Sequence, residues 1–202
     1  MNRRDAVRMA LVAGVALATG AAGPKGKVNA ASLVRPGDPV YGNPHGQVTI
    51  IDFYDIRCPP CRAMNKRIHK LIETDHDIRY VPVEYPILGP AGMLATRALY
   101  AARMQGGYRR MRALLMSQKP VPTPALMQQD ATQLGLDWPK MQAAMAGPQV
   151  AAEIAANLAR GRALGIHEIP AMYIGPVKVV GGLTSADLRS VVAQAMREQR
   201  GK

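Results

Sequence analysis

The stretch TIIDFYDIRCPPCRAMNKRIHKLI, at residues 49–72, constrains the fold more than any other part of the chain. Its first part is rich in β-branched and aromatic residues, which predicts a buried strand. From Pro59 to about Thr74 the apolar residues recur on one helical face, while arginine and lysine lie elsewhere. A buried strand that runs directly into an amphipathic helix is typical of an α/β sheet domain.

The segments that follow extend this pattern to a whole domain. A second strand is predicted in IRYVPVEYPI, where Pro82 and Pro86 should confine the outer parts to an edge or an end. Residues 91–164 are nearly all helical in pattern, and two short strands, IPAMYIG and VKVVGG, then precede a last helix. This order predicts an α/β domain over residues 47–198, with a helical insertion at about residues 90–164.

The N-terminus has the pattern of an export signal over residues 1–30. A basic start, MNRRDAVR, precedes an apolar run, and Val28-Asn29-Ala30 offers a small-residue cleavage site. The pair Arg3-Arg4 favours twin-arginine export. The residues after this pair are not bulky and apolar, so ordinary secretion stays open, as does an uncleaved anchor. Residues 31–46 are rich in proline and glycine and are predicted to form a lead-in segment.

Cys58 and Cys61 are the only cysteines of the chain, and two prolines separate them. A structural staple is a weak explanation, because a four-residue disulfide loop restricts the unfolded chain very little. Cys58 should instead be the N-cap of the helix, with Pro59 at the first helical position. The partial positive charge at a helix N-terminus lowers the pKa of a thiol there. Cys61, one turn further in, would be the resolving thiol, an arrangement that thiol–disulfide exchange needs.

Two more residues are candidates for the same site. Asp52 lies six positions before Cys58 on the apolar strand, so burial should raise its proton affinity and allow it to exchange a proton with Cys61. The alternative is an acid at the strand end that faces water. Pro170 lies just before a strand, and a cis Ile169–Pro170 bond would bring a backbone edge towards the disulfide, where it could pair with a substrate chain.

Four motifs in this order resemble the DsbA-like branch of the thioredoxin superfamily over roughly residues 38–198: DFYDIRCPPC, VEYPILGP, GIHEIPAMYIG and VVGGLTSADLRSVV. The resemblance implies a thioredoxin fold with a helical insertion domain. It implies that Cys58 is the nucleophile and Cys61 the resolving cysteine. It also implies that Asp52 is the buried acid and Pro170 the cis-proline. Members of this family are periplasmic thiol:disulfide oxidoreductases, so we expect that location and activity here.

The same resemblance implies the partners. They would be unfolded or partly folded exported proteins, together with a membrane protein that resets the cysteine pair. No cofactor is needed, because the disulfide itself carries the two electrons. Some relatives oligomerise through a long N-terminal helical stalk. Here only residues 31–46, rich in proline and glycine, separate the cleavage site from the domain, so we expect a monomer.

The chain departs from many relatives between its cysteines, where both residues are proline instead of including a histidine or an aromatic residue. Pro59 and Pro60 have no N–H, so the Cys58 thiolate loses nearby amide donors. Arg57 and Arg62 offer positive charge, but we expect both to be exposed and screened. We therefore expect a less acidic Cys58 and a less oxidising couple than in the strongly oxidising members. Ile169, the residue before the proline, resembles that of thioredoxin itself more than the threonine of many isomerase-type relatives.

Other functions are less favoured by the sequence. The net charge is +12, but aromatic residues make up only 4% of the chain and do not interleave with basic ones, so no nucleic-acid partner is expected. Two cysteines make half of a tetrahedral zinc site, and the four histidines show no paired ligand spacing with them. No metal site is therefore predicted. A reduced Cys-x-x-Cys can still bind Cu(I), so a copper-binding or copper-protective periplasmic protein is the alternative.

Overall fold

The computed structural model describes residues 28–200, so residues 1–27 of the predicted signal, with Arg3-Arg4, lie outside the described residues. The strands are β1 (Tyr41–Gly42), β2 (Val48–Tyr54), β3 (Ile78–Glu84), β4 (Ala171–Ile174) and β5 (Val177–Val180). The helix between β2 and β3 is α1 (Pro59–Ile72). The strand and helix predicted from residues 49–72 are thus confirmed, as are the second strand and the final hairpin.

The five strands form one sheet in the order β1-β3-β2-β4-β5. Strand β2 pairs in parallel with β3 and antiparallel with β4, so it lies in the middle, and all seven of its residues are buried. Strand β3 tolerates Pro82 because β1 pairs only with Arg79 and Tyr80, which leaves the outer edge of β3 at Pro82 without a strand beside it. The expectation that this proline lies at an edge is correct.

Five helices lie between β3 and β4: α2 (Pro90–Arg103), α3 (Tyr108–Ser117), α4 (Pro124–Gln133), α5 (Trp138–Ala146) and α6 (Pro148–Ala163). They form the helical insertion. Buried apolar residues of α2 to α5, such as Leu99 and Met111, make one cluster with both cysteines. The cysteine pair therefore lies where the insertion packs against the first turn of α1.

The last helix is α7 (Ser185–Arg200). The hydroxyl of Thr184 accepts a hydrogen bond from the backbone N–H of Asp187 at 3.1 Å, as expected of an N-cap residue. In residues 28–200, each helix is too short or too polar to be a candidate for crossing a membrane.

The residues before β2 are part of the packing and not only a lead-in. A short 3-10 helix (Ala30–Leu33) lies against the central strand, and Ala30 is fully buried. The N–H of Ala30 donates to the carbonyl of Gly175 at 2.7 Å, and the side chain of Asn29 caps the 3-10 helix by accepting from the N–H of Ala31 at 2.9 Å. Cleavage after Ala30 would remove these contacts.

A chain that begins at residue 31 should be less stable than one that begins at residue 28. We expect a loss of about 1–3 kcal/mol, because the burial of Ala30, its hydrogen bond and the Asn29 cap are lost together. Urea unfolding of the two chains measures the difference, and a chain that begins at residue 25 serves as the control. Equal unfolding midpoints would show that the segment contributes nothing to stability.

Candidate active site

The cysteine pair lies at the start of α1, and the two residues form a disulfide. Cys58 is the N-cap of the helix and Pro59 its first residue, as predicted. The Sγ of Cys58 accepts a hydrogen bond from the backbone N–H of Cys61 at 3.1 Å. Cys61 is fully buried and Cys58 is 2% exposed, so Cys58 is the more exposed of the two cysteines.

Pro60 should weaken the stabilisation of the Cys58 thiolate. An N-cap side chain accepts from the N–H of the second or the third helical residue. Pro60 is the second helical residue and has no N–H, so only the N–H of Cys61 remains as a donor. We expect Pro60→Ala to lower the pKa of the Cys58 thiol by about one unit, since a hydrogen bond to a charged group contributes roughly that free energy. The absorbance of the thiolate during a pH titration measures it. Pro59→Ala is the matched control, because the first helical N–H does not reach the N-cap side chain; an equal shift in both variants would contradict the argument.

The turn before Cys58 is held by Asp55, which the sequence reasoning missed. The buried carboxylate of Asp55 accepts from the backbone N–H of Arg57 at 2.7 Å and from that of Leu88 at 2.9 Å. Its carbonyl accepts from the N–H of Cys58 at 3.1 Å. Asp55 therefore fixes the turn that presents Cys58 and attaches it to the loop between β3 and α2. An aspartate three residues before an N-cap cysteine was the available signal, since aspartate often bonds to the backbone of its own turn.

Arg62 attaches the same site to the helical insertion. Its Nε donates to the carbonyl of Ile56 at 2.7 Å, and one terminal nitrogen donates to the carbonyl of Leu115 at 3.1 Å. The other terminal nitrogen donates to the carbonyl of Gln118. The guanidinium is partly buried, and this burial lowers its pKa. The expectation that Arg62 is exposed was therefore wrong, because α3 ends directly over it.

The Ile169–Pro170 peptide bond is cis and immediately precedes β4. The carbonyl oxygen of Ile169 lies 3.9 Å from the Sγ of Cys58. Pro170 is buried, whereas Ile169 is partly exposed. The structure thus brings Ile169 to Cys58, although they are far apart in sequence.

Asp52 lies on β2 opposite Met172 of β4 and is 1% exposed, so it does not face water. The hydroxyl of Tyr80 donates to its Oδ2 at 3.1 Å, while Oδ1 has no hydrogen-bond partner within residues 28–200. Burial raises the pKa of Asp52 from 3.8 to about 6. At neutral pH a minor fraction of Asp52 therefore carries a proton, and one oxygen is free to exchange it.

Three arginines of α3, Arg109, Arg110 and Arg112, are close together in the sequence, which predicts a solvated helix face. The structure overturns this prediction for Arg112, which is 2% exposed. It occupies the buried face of α3 together with Tyr108 and Leu115. The helical spacing of these apolar residues was the available signal, and the charge of the arginine hid it.

A buried carboxylate, Glu84, was also missed. It is 1% exposed and accepts hydrogen bonds from the hydroxyls of Tyr54, Tyr100 and Tyr108. Since these tyrosines come from β2, α2 and α3, periodicity on any single element could not have indicated the cluster. Within residues 28–200, no group of three or more histidine, cysteine, aspartate or glutamate side chains is arranged to hold a metal ion.

Comparisons with known proteins agree with this geometry. The thioredoxin family model matches residues 35–194. The structure of a thioredoxin-like oxidoreductase from Silicibacter pomeroyi DSS-3 is 33% identical, with a TM-score of 0.76 over 82% of this chain and 95% of that one. The thiol-disulfide exchange protein alpha-DsbA2 from Wolbachia pipientis has the same fold, with 24% identity and a TM-score of 0.71 over 79% of this chain and 87% of that one.

Curated relatives include a longer protein. The Na(+)/H(+) antiporter NhaA 3 of Salinispora tropica is 24% identical over 182 residues, which is 84% of this chain but 28% of the antiporter. The chain thus spans less than a third of that relative.

The family match extends over the sheet, the insertion and the cysteine pair, which confirms the predicted thioredoxin fold with a helical insertion. A relative with one third of its residues identical is an oxidoreductase, and this chain keeps two neighbouring cysteines joined in a disulfide. The chain therefore belongs to the thioredoxin family and has a DsbA-like architecture.

Proposed function

We propose that the protein is exported to the periplasm and exchanges disulfides with unfolded or partly folded exported proteins through Cys58 and Cys61. The observation that carries this proposal is the position of the pair. The outer sulfur, Cys58, lies at a helix N-terminus beside the carbonyl of Ile169, while Cys61 is fully buried. An incoming thiolate can therefore approach Cys58 but not Cys61.

In the oxidising direction, a client thiolate attacks the Sγ of Cys58, the Cys58–Cys61 bond breaks, and Cys61 leaves as a thiolate. Asp52 then gives its proton to Cys61, directly or through a water. A second client thiolate attacks the client sulfur of the mixed disulfide, which forms the client disulfide and releases the Cys58 thiolate. The client loses two electrons and the cysteine pair gains them.

In the reducing direction the same residues act in reverse order. The Cys58 thiolate attacks a client disulfide, and Cys61 gives its proton to Asp52 and then attacks Cys58 to release the reduced client. The backbone at Ile169 and Pro170 would pair with the extended client chain next to the attacked sulfur.

Location and partners follow from the N-terminal signal pattern and the need for turnover. A disulfide persists outside the cytoplasm. Each client leaves the pair in the opposite redox state, so a membrane protein that resets it completes the cycle. We propose that the chain acts as a monomer. A periplasmic extract that lacks the protein, from cells that express it with residues 1–30 intact, would contradict the proposed location.

The exchange itself is tested with a reduced, unfolded client and the purified chain from residue 28. Oxidised protein should introduce disulfides into the client, or reduced protein should remove them from an oxidised client, and Cys58→Ala should do neither. Equilibration with glutathione then gives the potential. We expect a value clearly below the roughly −120 mV of the strong periplasmic oxidants, because Pro60 supplies no amide donor to Cys58. Failure of both reactions would reject the function.

A further inference from the structure

Arg112 of α3 lies one tyrosine away from each of two buried carboxylates. Its Nε donates to the hydroxyl of Tyr54 at 2.9 Å, and a terminal nitrogen donates to the hydroxyl of Tyr80 at 3.1 Å. Tyr54 in turn donates to Glu84 at 2.7 Å, and Tyr80 donates to Asp52 at 3.1 Å. A hydroxyl that accepts from a guanidinium becomes a stronger donor. Arg112 therefore acts on both carboxylates through the two tyrosines.

The two carboxylates are hydrogen-bonded very unequally. Glu84 accepts three short hydrogen bonds, from Tyr54 at 2.7 Å, Tyr100 at 2.6 Å and Tyr108 at 2.5 Å. Asp52 accepts one, and its Oδ1 has no partner among the described residues. Hydrogen bonds to a carboxylate favour its charged form. Negative charge is therefore held more favourably on Glu84, and the proton goes to Asp52.

The balance of charge points the same way. Two carboxylates share this buried region with one guanidinium, so the region has a net negative charge when both are ionised. Such a charge is unfavourable where water is excluded. A proton on Asp52 removes it. In agreement, burial raises the pKa of Asp52 most strongly, Arg112 and the hydrogen bond from Tyr80 lower it, and Glu84 raises it.

His69 of α1 also lies near this network. One of its ring nitrogens is 3.4 Å from a terminal nitrogen of Arg112, and its ring packs edge-on against Tyr80. Burial, Arg112 and Arg109 lower the pKa of His69 to about 4. His69 is therefore neutral in the pH range around 6 in which Asp52 titrates. On its other side Asp52 faces Met172 of β4, which does not titrate.

We propose that Glu84 and Arg112, linked through Tyr54 and Tyr80, set the proton affinity of Asp52 and thereby the fraction of molecules in which Asp52 can protonate the released Cys61. This rests on the proposed role of Asp52 in the exchange. Glu84 and Arg112 are positioning residues, since neither bonds to Asp52 directly. Glu84 offsets the charge of Arg112, which keeps a proton available on Asp52 near neutral pH.

The test is the pKa of Asp52 in the oxidised protein, measured by NMR of carboxyl carbons labelled with ¹³C, in variants with opposite expected shifts. Glu84→Gln removes the competing negative charge and should lower this pKa by about one unit. Tyr80→Phe removes the hydroxyl that donates to Asp52 and should raise this pKa by about one unit. A purely structural disturbance would shift both variants in the same direction.

Tyr85→Phe is the matched control. Tyr85 is also a buried tyrosine, but its hydroxyl donates to the carbonyl of Ile166 at 3.0 Å, outside the network, so this variant should leave the pKa of Asp52 unchanged. If Glu84→Gln does not fold, Tyr80→Phe against Tyr85→Phe still decides the matter. Equal titrations in these two variants, or shifts of one sign in Glu84→Gln and Tyr80→Phe, would overturn the proposal.

The role of Asp52 in the exchange and the network that sets its proton affinity are tested separately. The NMR titration is made on the oxidised protein and does not depend on exchange activity. If Asp52→Asn kept the exchange rate and its pH profile, the role of Asp52 in the exchange would be wrong, whatever the NMR shows. If that variant were slow but Glu84→Gln and Tyr80→Phe left the pKa of Asp52 in place, only the network inference would be wrong. When the role of Asp52 and the network inference are both correct, the pH midpoint of the exchange rate shifts together with the pKa of Asp52 measured by NMR.

Discussion

Replacing Cys61 with alanine should trap Cys58 in mixed disulfides with client proteins and slow turnover by at least about 10³-fold. The reason is that in the reducing direction Cys61 resolves the mixed disulfide intramolecularly, and an external thiol at millimolar concentration cannot match the effective concentration of a thiol held in place. The trapped species should appear on non-reducing gels as adducts that dithiothreitol removes.

Cys58→Ala is the matched control for this result. It should form no adducts, because the remaining cysteine, Cys61, is fully buried in the first turn of α1. Adducts that form on Cys61 in Cys58→Ala, but not on Cys58 in Cys61→Ala, would show that the roles of the two cysteines are reversed.

Asp52→Asn should stabilise the oxidised protein at pH 7 by about 2–3 kcal/mol while it slows the exchange. Folding raises the pKa of Asp52 from 3.8 to about 6, and each unit corresponds to about 1.4 kcal/mol. The folded state therefore binds this proton more tightly than the unfolded state. The destabilisation from ionised Asp52 is absent below pH 4, grows between pH 4 and pH 6, and is complete above that range. The gain from asparagine should follow the same pH dependence.

Urea unfolding at pH 4 and pH 7 measures this gain as a difference between variant and parent. The difference is needed because folding lowers the pKa of His69 from 6.5 to about 4, so the unfolded state binds this proton more tightly. Both proteins therefore lose the same stability from His69 as the pH falls below 6.5. Asp55→Asn is an instructive control: its buried carboxylate accepts two backbone N–H groups, so asparagine should destabilise by roughly 1–3 kcal/mol. A gain for Asp52→Asn that is no larger at pH 7 than at pH 4 would contradict the linkage.

Much of the site was predictable because it is built from local rules. The N-cap position of Cys58 follows from a strand that ends before a proline-initiated helix, and the capping bond to Cys61 spans only three residues. The burial of Asp52 follows from its place inside an apolar strand. The cis bond at Pro170 was different: one proline before a strand rarely implies it, and only the resemblance to a family made it an expectation.

The burial of Arg112 and Arg62 could not be predicted, because it depends on contacts between elements far apart in sequence. Arg112 is buried because Tyr54 of β2, Tyr80 of β3 and Asn65 of α1 offer it acceptors. A charged side chain is buried only when such partners surround it, and no pattern on α3 alone reveals them. The partial burial of Arg62 has the same origin, since its acceptors include carbonyls of the helical insertion.

The order of strands and helices, the fold family and the cysteine pair at the start of α1 can therefore be predicted from the amino-acid sequence, because periodicity and capping act over a few residues. Which polar groups share the interior with Asp52, and that the segment around Ala30 belongs to the core, emerges from the packing of the folded chain. Burial of polar groups and docking of a short segment depend on the free energy of contacts that exist only after the chain has folded.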